Sequence, residues 1–101
     1  MEQPVVPTIV GGCRVLLFTE LDDRHVPTGA CRHVVDGQPL HGVLGLAICA
    51  ATAPDAGFFL FYCEEDFIPI TDTWHRSLED AMHQAELEYA GVSSTWEEPP
   101  V

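Results

Sequence analysis

Apolar residues come in short runs through the first three quarters of the chain, and a helical period replaces them only near the C-terminus. The clearest run is GFFLFYCE, residues 57–64. Side chains alternate along a strand, so Phe58, Leu60 and Tyr62 project one way and Phe59, Phe61 and Cys63 the other. Residues 13–21 (CRVLLFTEL) and 43–50 are likewise apolar on both faces. Residues 67–74 read as a further strand after a turn at Glu65-Asp66. Asp36-Gly37 is the strongest hairpin signal, because a type I′ turn needs positive φ at both central residues. Its flanks are residues 32–35 and 38–41, with Pro39 confined to an edge or an irregularity. Residues 22–29 and 53–57 carry the Asp, Pro and Gly content of loops, and Gly42 and Gly45 suggest a bend or bulge. Residues 1–12, with Pro4, Pro7 and Gly11-Gly12, read as an irregular lead-in. Short strands joined by tight turns predict an antiparallel meander.

Residues 77–90 change the period. At about 100° per residue, Leu78, Ala81, Met82, Ala85 and Tyr89 share one face. Ser77 suits the N-cap, with Asp80 three residues on imitating a capping box. Glu79 and Asp80 sit where the helix dipole favours negative charge. Gly91 suits a left-handed residue beyond the helix end, which would bring Val92 onto Leu87. Glu86 and Glu88 are placed at the flanks of the stripe. A helix this short is marginal alone, so it must lie on the sheet. The expectation is one α+β domain over residues 1–101. A four- or five-stranded antiparallel sheet occupies 13–74, one C-terminal helix over 77–90 packs on one face, and 92–101 form a tail.

That architecture leaves apolar surface to cover. Four or five strands span roughly 19–24 Å, and a helix is only about 10–12 Å across. The remainder must be covered by the lead-in and loops, by curling of the sheet, or by a second chain. An uncovered apolar face usually marks an interface, which favours a second chain, either a twin or a different protein.

Composition supports one globular domain: 101 residues, 47% apolar and 20% charged. The charge narrows the partners. Sixteen acids face four arginines and no lysine, a formal net of −12. Residues 51–101 hold eleven of the acids and one arginine. Such a field repels phosphate backbones and anionic lipid surfaces, so neither nucleic acid nor membrane is an expected partner, and a basic protein is. Cys13, Cys31, Cys49 and Cys63 form no CxxC. The N-terminal residues lack the basic start and apolar core of a secretory signal, so a cytoplasmic protein with reduced cysteines is expected.

Candidate chemistry is sparse. Asp72 and His75 are the candidate acid–base pair of a small hydrolase or metal-dependent enzyme, although in an extended segment they point to opposite faces. The five histidines, with Cys31-Arg32-His33 as one thiol–imidazole pair, complete no metal spacing. There is no GxGxxG, P-loop, GxSxG or HExxH, so no cofactor, metal or catalytic residue is expected. The acidic tip Glu64-Glu65-Asp66 ranks first as a docking patch, with Trp74 and His75 as further partner-binding candidates, Trp74 being expected to pack where the last strand meets the helix.

The stretch FYCEEDFIPITDTWHRSLEDAMHQAELEYAGVSSTWEE, residues 61–98, resembles the tail of a group of small bacterial proteins to which no activity is attached. In that group an aromatic-Cys-acidic strand end runs into TDTWHxSLxxAxxQAExEY and a final Trp. Trp74-His75 and Gln84-Ala85-Glu86 are its most specific parts. The resemblance implies a bacterial protein and transfers no functional residue. By size and charge alone, small acidic α+β bacterial proteins also include immunity proteins that neutralise basic toxins. Together these features predict a non-enzymatic acidic binding protein of immunity or adaptor type that docks a basic partner. A small enzyme using Asp72 and His75, or a structural homodimer, is the alternative.

Overall fold

The computed structural model describes residues 6–30, 33–52 and 56–100. The strands, in chain order, are β1 (Ile9–Val10), β2 (Cys13–Glu20), β3 (Val26–Pro27), β4 (Val34–Val35), β5 (Gln38–Pro39), β6 (Gly45–Ala50), β7 (Phe58–Cys63) and β8 (Pro69–His75). Helix α1 (Leu78–Glu88) and the short strand β9 (Tyr89–Ala90) follow. Five strands make one antiparallel sheet in the order β1-β2-β6-β7-β8, and α1 lies on one face of it. The α+β architecture with a C-terminal helix is therefore as the sequence predicts. The Asp36-Gly37 turn also forms, with φ of 52° and 78°, but β4 and β5 pair only with each other and stay outside the main sheet.

The alternation read from the sequence orders the core. Leu46, Ile48, Leu60 and Tyr62 face the helix, where they meet Ala81, Ala85 and Val92. Ala47, Cys49, Phe61 and Cys63 face the other way. In β2 a register shift at Leu16 lets Val15 and Phe18 share that second face while Leu17 joins the first. Cys13, Cys49 and Cys63 are free thiols. Burial pushes Cys49 and Cys63 up to about 12, so both remain thiols acting as small apolar side chains. Cys31 lies outside the described residues.

The expectation of an uncovered second face fails. Ala47, Cys49 and Cys63 are completely buried there, and the chain supplies the cover itself. Gly11 lies over the Phe61 ring, so close that a Cβ would sit 2.5 Å from two ring carbons. Gly11 belongs to the β1–β2 turn and Phe61 to β7, two strands further along, so the sheet must curl to bring them together. Phe67, from the turn after β7, closes the same face. Its ring meets Phe18 edge-on at 5.7 Å and rests over Gly45, where a Cβ would come within 2.7 Å of it. Gly45 is therefore a site of close approach inside β6.

Three boundaries also differ from the sequence reading. Within the lead-in, Ile9–Val10 form a strand, because Gly11 and Gly12 both adopt positive φ and close a two-residue turn onto β2. The 22–29 loop contains β3, which pairs with β9. That pairing ends the helix at Glu88, two residues early. Tyr89 goes extended, and Thr28 takes up the last helical carbonyls, its hydroxyl bonding Leu87 O at 2.5 Å and its N–H bonding Glu88 O at 2.9 Å. Gly91 is left-handed as expected but opens a 3₁₀ turn, whose Gly91 and Ser93 amides donate to the Glu86 carboxylate. Those two amides hold Glu86 below the usual carboxylate range. Leu87 is exposed and Val92 is buried. The N-cap is as expected, with the Asp80 N–H donating to Ser77 Oγ at 3.0 Å.

The tail is anchored as well. Phe18 and Glu97 exchange both main-chain hydrogen bonds, at 2.9 and 2.8 Å. Buried His25 accepts the Asp22 N–H at Nδ1 (3.0 Å), which puts its proton on Nε2 for Thr95 Oγ1 (2.9 Å). Thr95 in turn lies 2.7 Å from Thr19 Oγ1.

Gly12 has positive φ and open space, and Gly11 has positive φ and no space. Gly12→Ala is expected to cost about 1–2 kcal/mol. Gly11→Ala should cost about 1–3 kcal/mol more, because its methyl must displace the Phe61 ring. Urea unfolding of the two variants checks this, and equal losses would show that the sheet does not curl onto Gly11.

Candidate functional site

Two places hold the charged and polar chemistry. The first is a buried carboxylate. Glu88 ends α1 and is only 6% exposed, although a negative charge there opposes the helix dipole. It is stabilised by donors from three elements. The Tyr62 hydroxyl on β7 donates to Oε2, Gln84 Nε2 donates to the same oxygen at 3.0 Å, and His33 Nε2 meets Oε1 at 2.5 Å. The His33 ring also lies against Tyr62, centroids 4.7 Å apart. His33 directly precedes β4, so this contact ties the outlying hairpin to the helix end. Burial, then the Glu88 carboxylate, pushes the Tyr62 phenol far above the ordinary tyrosine range, against a smaller lowering by Thr73. Burial followed by Glu88 raises Tyr89 in the same direction.

A cleft of about 500 Å³ opens beside this cluster, lined by Pro27, Val34, Leu40 and Tyr89 together with His33 and Glu88. No serine, threonine, cysteine or lysine is among the described residues lining it. Both Glu88 oxygens hold donors, and through them the cluster links the outlying hairpin, β7 and the helix end.

The second place is the β8 edge. The acidic tip is exposed at Glu64, Glu65 and Asp66, and the chain runs from it through exposed Ile68 into β8. Along β8, Asp72 pairs with Phe61 and Trp74 with Phe59, which places both on the second face of the sheet. Trp74 is 54% exposed, yet its indole is pinned by a 2.7 Å hydrogen bond from Nε1 to Ala56 O. His75 is separated from these residues. It pairs with Phe58 on the helix face, and its Nε2 lies 2.7 Å from Thr73 Oγ1. Burial draws His75 down, opposed by the charges of Asp80 and Glu88. Asp72 and His75 therefore stand on opposite faces, and the candidate acid–base pair is not assembled. Among the described residues no three His, Cys, Asp or Glu side chains converge as a metal site. No helix among them is long and apolar enough to cross a membrane.

Comparison with protein-family models, with curated proteins and with solved structures finds no match to this chain. The buried network was the part missed from sequence. The signal was present, because Glu88 follows Ala81 by seven residues, two helical turns, and so falls within the apolar stripe rather than on its flank.

Removing Glu88 takes the carboxylate acceptor from the buried Tyr62 phenol and the part-buried His33 imidazole, so Glu88→Ala is expected to lower stability by about 2–5 kcal/mol in urea unfolding. A loss within experimental error would mean that the network carries no tension between hairpin and helix. The tyrosines set the alkaline limit. Both chain tyrosines keep their protons longer in the folded state than in the unfolded one. Their contribution is whole below about pH 10, the unfolded tyrosine pKa, and declines as pH rises above it. Stability should therefore fall above about pH 10, by up to about 1.4 kcal/mol per pH unit for each tyrosine. The phenolate absorbance rise should coincide with unfolding. A full rise near pH 10 in a protein that is still folded contradicts the burial described.

Proposed function

We propose that the chain is a non-enzymatic acidic binding protein of adaptor or immunity type, acting in the cytoplasm, that docks a basic protein through the β8 side of its sheet. The observation that carries this reading is the gathering of exposed groups suited to contact along one edge: Glu64, Glu65, Asp66, Ile68, Asp72 and Trp74. The formal charge of −12 favours a cationic partner and speeds its approach. A pinned indole beside a carboxylate suits Arg and Lys, through cation–π contact and an ion pair. The likeness of residues 61–98 to the tail of small bacterial proteins agrees with a bacterial setting. A twin is the weaker occupant, because two copies would present the same negative edge. The enzyme alternative lacks its pair, since Asp72 and His75 face apart.

Capture from a bacterial lysate at low and high salt, with the wild type and a Glu64→Gln/Glu65→Gln/Asp66→Asn variant, tests the reading. A basic protein held at low salt, released at high salt and lost by the variant is expected. Retention of the same protein by the variant, or of no basic protein at all, contradicts it.

A further inference from the structure

We propose that β8 is a strand-acceptor edge: an extended basic segment of the partner adds to it as a sixth strand, pairing with the main chain of Asp72 and Trp74. This rests on the reading that the partner is a basic protein, and it specifies how that protein is held.

The two edges of the sheet are treated differently. The β2 side is closed by the chain itself. β1 pairs with Cys13 and Arg14, Val15 N–H reaches Thr8 O at 2.9 Å, and Glu97 exchanges hydrogen bonds with Phe18. β8 has β7 on one side and no strand on the other among the described residues. The phase of the ladder identifies its free groups. At the two ends of β7, Ala51 N–H bonds Gly57 O and Glu64 N–H bonds Ile68 O. In an antiparallel ladder, main-chain groups alternate in direction from one residue to the next. Phe58, Leu60 and Tyr62 therefore bond toward β8, and their partners His75, Thr73 and Thr71 bond back. The amides and carbonyls of Asp72 and Trp74 point outward, with no partner strand among the described residues.

Open edges are hazardous, and folds usually blunt them with proline, bulges or lysine. Here Pro69 and the register shift opposite Tyr62 and Cys63 guard only the beginning of β8. From Thr71 to His75 there is no proline, lysine or bulge. The side chains there are β-formers, with Thr71, Thr73 and His75 on one face and exposed Asp72 and Trp74 on the other.

Charge selects the occupant. Asp72 and the acidic tip that leads into β8 favour Lys or Arg on one face of an added strand, with the fixed Trp74 indole as a cation–π surface. The opposite face of the guest, beside the threonines, suits small or β-branched residues. The ligand class is an extended peptide with a basic residue at every second position, bound by main-chain pairing and read by alternate side chains.

The probes are an acetylated, amidated Arg-Thr-Arg-Thr-Arg-Thr-Arg peptide and two forms of it N-methylated at alternate amides, one for each register. N-methylation keeps the charge and removes main-chain donors. Titration calorimetry at low salt is expected to show the parent peptide binding at least tenfold more tightly than the weaker methylated form. The Asp72 and Trp74 amides are expected to exchange fast in the free protein and to become protected from hydrogen exchange when the parent peptide is added. Equal binding by all three without that protection overturns strand addition and leaves electrostatic docking intact. No binding by any of them also overturns it, and the salt-dependent capture then judges the docking reading separately.

Discussion

The structure depends on one constraint: the central pair of strands is apolar on both faces, so both faces must be covered. Leu46, Ile48, Leu60 and Tyr62 on one side and Ala47, Cys49, Phe61 and Cys63 on the other leave no wet surface in the middle of the sheet. The helix covers the first side together with Val92 and Trp96 of the tail and Leu40 beyond the outlying hairpin. The second is covered by curling, which brings the Gly11 turn over Phe61 and lays Phe67 across Gly45 against Phe18. Two glycines at points of close approach allow this, because a side chain at either would hold the layers apart.

Polar groups then fix what the apolar layers leave loose. Glu88 joins the helix end, β7 and the outlying hairpin through Gln84, Tyr62 and His33. His25 and Thr95 join the first loop to the tail, and Glu97 closes the β2 edge. Nearly every segment is thereby tied back to the sheet. The open edge of β8 stands out against that pattern, and the exposed acids and Trp74 lie along the same strand and its tip.

Local signals were legible where one residue type decides the geometry. Asp36-Gly37 made its turn, Ser77 capped its helix, and the alternation of residues 58–63 sorted itself onto two faces as read. The failures are places where distant pairing overrode a local preference. The helix gave up Tyr89 and Ala90 because β3 offered them a strand partner and Thr28 satisfied the freed carbonyls. Ile9 and Val10 became a strand because β2 lay within reach of a Gly-Gly turn. The missing cover was misjudged for the same reason. Curl is a property of the whole sheet, and a count of apolar positions treats the sheet as flat. The candidate site divided in the same way. The acidic tip could be read as exposed from composition and position. Trp74, expected to pack where the last strand meets the helix, is exposed on the other face instead, and the strand phase that frees the Asp72 and Trp74 amides could not be read.

Self-cover is the claim on which the rest stands, and the dependence of unfolding on protein concentration tests it most directly. If the chain buries both faces alone, the urea midpoint stays constant when concentration is varied over two orders of magnitude. A midpoint that climbs with concentration would mean that a second copy supplies the cover, and the curled, self-sufficient sheet described above would be wrong.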